Sequence, residues 1–98
     1  MPVLRKTAAA RNDYKDIWHF VARDSAFQAN RLLHRFDEQL RVLAAESLMG
    51  RPRPDLAEGL RSWNMGHYIF FYSVIEDGIE LIRLLHSSRD IQPELFGK

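Results

Sequence analysis

The chain has 98 residues, which fits one domain at the usual span of about 100–200 residues each. Apolar residues make up 46%, aromatic residues 11% and charged residues 28%, a globular composition that excludes a chain too poor in core-forming residues to fold. Fourteen basic residues against 13 acidic ones give a formal charge of +1, which excludes a strongly basic nucleic-acid coat but leaves room for a local patch.

No run of about 18 apolar residues is present, so no transmembrane helix and no membrane partner are expected. The start, Met1-Pro2-Val3-Leu4-Arg5-Lys6-Thr7, lacks an apolar h-region, so no signal peptide is expected. The absence of cysteine excludes a disulfide scaffold and thiolate metal sites, and it fits a reducing cytoplasm. Arginine dominates the basic residues, and its planar fork suits bidentate contacts to carboxylate or phosphate.

In chain order, Val3 to Thr7 reads as a short strand, after which Thr7 can cap a helix. From Ala8 to Arg23 the residues Tyr14, Ile17, Trp18 and Val21 recur at i, i+3, i+4 and i+7, which is one face of an amphipathic helix. Asp24-Ser25 interrupts it, and Ser25 with Gln28 is a capping signature for a second helix. That helix carries Ala29, Leu32, Leu33, Phe36, Leu40, Leu43 and Ala44 on one stripe, with Asp37 and Arg41 placed for an i, i+4 ion pair on the other. Glu46 to Gly59 reads as a loop, because Pro52 and Pro54 push their neighbours to extended geometry.

The last third reads as a meander. Leu60 to Asn64, His67 to Val74 and Ile79 to His86 are strands, with Met65-Gly66 and Asp77-Gly78 as turns. Asp90 to Lys98 is a tail containing Pro93. The order β-α-α-β-β-β predicts a two-layer α+β fold, a helical hairpin on one face of a small sheet, in a single domain over residues 1–98.

Strict alternation puts Tyr68, Phe70, Tyr72 and Val74 on one sheet face and Ile69, Phe71 and Ser73 on the other. In the next strand it puts Ile79, Leu81, Arg83 and Leu85 on one face and Glu80, Ile82, Leu84 and His86 on the other. Both faces are largely apolar, and two helices cover only one. Either the loop and tail close the second face or, the reading favoured here, a partner polypeptide completes it. The four histidines have no i, i+3 or i, i+4 pairing, so no metal site is expected. The five glycines are isolated, so no phosphate loop is expected, and no cofactor.

The segment Glu58-Gly59-Leu60-Arg61-Ser62-Trp63-Asn64-Met65-Gly66-His67-Tyr68-Ile69-Phe70-Phe71-Tyr72 resembles the ParE toxins of bacterial toxin–antitoxin pairs. So do Asp77 to Asp90, Asp16 to Asp24 and the Met49-Gly50-Arg51-Pro52 loop, in the same order. The resemblance implies a ParE/RelE-like fold with a mainly antiparallel sheet, and a co-expressed ParD-like antitoxin that neutralises the chain by binding. It also implies contact with operator DNA only through that antitoxin. His67 and Ser73 depart from the family, which often has basic residues there; both lower the positive charge of that strand.

The resemblance leaves three functions open. ParE-like members poison DNA gyrase without catalysis of their own. RelE-like members are ribosome-dependent mRNA endonucleases. A third type only binds its antitoxin. Cleavage by 2′-OH attack needs a base, an acid and a cation at the phosphorane. Glu80, Arg83, His86 and Arg89 are the candidates, but one register cannot aim Glu80, Arg83 and His86 at one phosphate, and the tail has no Tyr. The favoured reading is therefore a non-catalytic gyrase inhibitor. Arg89, Arg83 and His86 are the candidates for target binding, and Trp18, Trp63, Tyr68, Phe70 and Tyr72 for antitoxin binding.

Overall fold

The computed structural model describes residues 2–97; Met1 and Lys98, the ends of the expected domain and tail, lie outside the described residues. Strand β1 (Val3–Lys6) leads into helices α1 (Ala8–Ala22) and α2 (Ala26–Ala45). Strands β2 (Arg51–Pro52), β3 (Leu60–Met65), β4 (Tyr68–Ile75) and β5 (Gly78–His86) follow, then a 3-10 turn over Pro93–Phe96. The sheet order is β1-β5-β4-β3-β2. β1 runs parallel to β5, and the other pairs are antiparallel. This is the expected α+β architecture with one addition, β2, inside the expected loop. Pro52 can sit there because β2 is an edge strand, where a missing N–H costs no ladder bond.

Both helix starts are set by hydroxyl caps. The Thr7 side chain accepts a hydrogen bond from the Ala10 N–H at 3.0 Å, and that of Ser25 accepts one from the Gln28 N–H at 3.1 Å. The Thr7 hydroxyl also donates to the Ile82 carbonyl at 2.8 Å, which pins the start of α1 to β5. At the β4–β5 turn, Asp77 rather than glycine takes the left-handed conformation, with φ of 65°. Gly78 is needed for a different reason: a Cβ there would overlap the Val3 carbonyl of the neighbouring strand.

The helix-side core centres on Phe36, Leu40, Phe70, Tyr72, Leu81 and Leu84. Tyr14, Ile17, Leu32 and Leu33 pack against it half-buried, while Trp18 and Val21 remain partly exposed. α1 buries only Ala10 and Asp13 fully. The expected Asp37–Arg41 pair gives way to a different one. Asp37 meets the Lys6 ammonium of β1 at 3.5 Å and accepts the Tyr14 hydroxyl of α1 at 3.1 Å, so it ties α2 to both elements.

The second sheet face corrects the favoured expectation that a partner is needed to cover it. Phe71, Leu60 and Leu85 are buried there beneath the chain's own Leu56, with Ile91, Leu95 and Phe96 of the tail packed against them. The Phe71 and Phe96 rings lie 4.9 Å apart. Loop and tail together form the third, thin layer.

Strict alternation along β5 is also corrected. Phe71 pairs with Arg83 but Tyr72 pairs with Leu81, so Ile82 is an extra residue, a β-bulge. Ile79, Leu81 and Leu84 therefore share the helix side, whereas Ile82 and Leu85 face the tail. The bulge reverses the expected relation between Glu80 and His86. Glu80 faces the tail side, and His86, two residues past Leu84, faces the helix side.

Candidate binding site at the cleft between α1 and β5

Past the bulge, β5 carries its polar residues to the end of the sheet beside α1. Asp13 and Asp16 on one wall, with Ile17 and Phe20, face Leu84, His86, Ser88 and Arg89 on the other, and Tyr68 lies at the base. They enclose an open cleft of about 420 Å³. The structure thus brings together Tyr68, expected at the antitoxin surface, with His86 and Arg89, expected at the target surface.

Arg83 does not join them as a free cation. Its Nε and Nη2 donate to the two Asp13 oxygens at 2.7 and 2.9 Å, and its Nη1 donates to the Leu95 carbonyl at 3.3 Å. Asp13 also accepts the Leu84 N–H at 3.0 Å, a backbone donor beside the bulge. The Asp13 hydrogen bond raises the Arg83 pKa above its ordinary value, so the guanidinium stays charged.

His86 is exposed and accepts at Nδ1 from the Ser88 N–H at 3.1 Å. That donor keeps Nδ1 unprotonated in the neutral ring and leaves the proton on Nε2. The His67 ring stacks on His86 with centroids 5.8 Å apart, and Tyr68 meets it edge-on at 5.3 Å. Arg89 is exposed and forms no ion pair among the described residues.

The five residues expected at the antitoxin surface divide. Phe70 and Tyr72 have no exposed surface, so they cannot touch a partner. They lie between sheet and helices, and the Tyr72 hydroxyl donates to the Ser47 carbonyl and accepts the Gly50 N–H, both at 2.8 Å. Trp63 is half-buried against the helix-side core. Trp18 is also half-buried, and its indole N–H donates to Asn30 at 2.8 Å, joining the two helices. Of the five, only Tyr68 lines the cleft.

Asp13 was not among the residues singled out from sequence. Its signal was a carboxylate three residues after Ala10 and four before Ile17, on the apolar stripe itself. A buried acid at such a place requires a cation. Among the described residues, no group of three or more His, Cys, Asp or Glu is arranged to hold a metal ion.

A helical hairpin on a mixed sheet, with a polar-rimmed cleft at the end of the last strand, defines a class of small α+β domain. The family model described as ParE toxin of type II toxin-antitoxin system, parDE, matches residues 4–91. This chain belongs to that family: it is a ParE toxin of a type II toxin–antitoxin system. Among solved structures, a chain of a chromosomal ParDE TA system from P. aeruginosa superposes with a TM-score of 0.72 at 22% identity. The match covers 88% of this chain and 96% of that one. No curated protein matches the sequence.

Proposed function

We propose that this toxin acts by binding, with DNA gyrase as its target and no chemistry of its own, and that a co-expressed ParD-like antitoxin neutralises it in the cytoplasm. The observation that carries the reading is the separation of the groups a nuclease would need. Glu80 and His86 lie on opposite sheet faces, six residues or about 20 Å apart along the strand. Arg83 between them is committed to Asp13 and Leu95. General acid–base cleavage needs base, acid and cation around one phosphate. This arrangement instead offers an apolar cleft with an exposed Arg89 at its rim, which suits recognition of a carboxylate or phosphate.

Because Arg89 lines the same cleft as Tyr68 and His86, an antitoxin segment lying there hides the target-binding Arg89 directly. Closure of the second sheet face by the tail favours the helix side for that segment. Operator DNA is then reached through the antitoxin alone. The test is induction of the chain without its antitoxin. Filamentation with a DNA-damage response, and inhibition of purified gyrase in a supercoiling assay, are expected. Translation arrest with cleaved mRNA overturns the reading in favour of a RelE-type endonuclease.

A further inference from the structure

The outward face of α2 has no partner among the described residues. Phe27, Arg31, His34, Arg35, Glu38 and Val42 are all exposed on it, with Phe27 at 65% and Val42 at 47%. At about 100° per residue these six positions fall on one side of the helix, opposite the buried Ala29, Phe36 and Leu40. The Arg31 guanidinium lies 5.8 Å from the Phe27 ring, and among the described residues the only base within 4.0 Å of the Glu38 carboxylate is His34, at 3.7 Å. Arg31 and Arg35 form no ion pair among the described residues, although like charges at i, i+4 repel. A shallow groove of about 350 Å³ runs past all of these except Val42.

Read along the helix, the face runs apolar, basic, a basic centre, acidic, apolar. Reversed against itself, that order sets apolar against apolar and basic against acidic on either side of the centre, and only the centre, His34 and Arg35, meets like groups. We propose that this face is an interface between two copies of the chain, with α2 antiparallel to α2 about a two-fold axis passing between His34 and Arg35. Position 27 then meets 42, and position 31 meets 38. Phe27 of each copy covers Val42 of the other, and Arg31 of each pairs with Glu38 of the other. One surface thus supplies both halves of these flanking contacts, as an isologous interface requires.

Glu38, about one turn from the centre of the face, disfavours a phosphate backbone there, and the apolar ends favour a protein. Phe27 to Val42 spans about 22 Å of helix. One helix pair of that length buries less than the roughly 1,200 Å² of stable complexes, so the dimer is a weak one, with a dissociation constant in the micromolar range or above. The cleft between α1 and β5 has no lining residue on α2 and remains open in the dimer.

Sedimentation equilibrium of the purified full chain from about 1 µM to 1 mM tests this. The wild type is expected to move from monomer to dimer mass across that range. Arg31→Glu, Glu38→Arg and Phe27→Glu should each raise the half-association concentration at least about tenfold, and the double variant Arg31→Glu/Glu38→Arg should restore it to within about threefold. All sites are exposed, so unchanged circular dichroism and melting temperature establish that each variant is folded. A chain monomeric at every concentration overturns the proposal. So does a dimer that the single substitutions leave unchanged, or one that the charge swap does not restore.

Discussion

Asp13 and Arg83, 70 residues apart in sequence, share two hydrogen bonds of 2.7 and 2.9 Å, and together they anchor three elements. Asp13 holds α1 to β5 through the Leu84 N–H, and Arg83 reaches on to the tail at the Leu95 carbonyl. Asp13 is 6% exposed, so removing its partner strands a charge in the interior. Arg83→Ala and Asp13→Ala should each lower unfolding free energy by about 3–5 kcal/mol, read from urea denaturation. The double variant should cost clearly less than the two losses added, because one interaction is being counted twice.

Arg89 and His86 separate binding from catalysis. On the proposed gyrase reading, Arg89→Ala is expected to weaken growth arrest, gyrase inhibition and, because the antitoxin segment lies in the same cleft, antitoxin binding, while leaving melting temperature nearly unchanged. His86→Ala should leave toxicity intact, since binding needs no proton transfer. A nuclease would instead lose on the order of 10²–10⁴-fold in rate. Full toxicity in Arg89→Ala, or its loss in a folded His86→Ala, would falsify the binding assignment.

Phe36 reports on the helix-side core. Its ring makes edge contacts with Tyr14, Tyr68 and Phe70 at centroid distances of 5.7, 5.1 and 5.7 Å, and it has no exposed surface. Phe36→Ala should cost about 3–5 kcal/mol. Leu33, only half-buried, should cost less when cut to alanine. Equal losses at the two sites would contradict the packing.

Phe96 reports on the tail. Phe96→Ala removes the ring lying on Phe71 and should cost about 1–3 kcal/mol. Deleting residues 92–98 should go further and expose Phe71 and Leu85. Increased binding of a dye specific for exposed apolar surface is the expected readout, with α-helical circular dichroism retained.

Alkaline pH should destabilise the fold. Burial, and then the Asp37 carboxylate, push the Tyr14 hydroxyl well above the ordinary phenol value; burial also raises Tyr68 and Tyr72. A group whose folded pKa is raised adds stability at pH values below its unfolded pKa and loses it as pH climbs toward the folded one. Stability should therefore fall with pH above about 10, and Tyr14→Phe should flatten that slope.

Local chemistry made much of the architecture legible. Apolar residues at i, i+3 and i+4 mark two helices whatever they pack against, and the Thr7 and Ser25 hydroxyls mark their starts. The alternating strands of the last third and the Asp77-Gly78 turn are equally local. The match to the ParE family over residues 4–91 rests on the same kind of information.

Only the tertiary structure decided the site. Periodicity reports which residues share a face, but not how deep that face lies, so Phe70 and Tyr72 look like partner contacts until the helices cover them. It also assumes an unbroken ladder. The bulge at Ile82 arises where β5 leaves β1 and pairs onward with β4 alone, which no single-strand pattern contains. That one inserted residue parts Glu80 from His86. The ion pair of Asp13 with Arg83 and the tail's cover over Phe71 are likewise long-range, set when distant segments meet to satisfy a buried charge and an exposed apolar face.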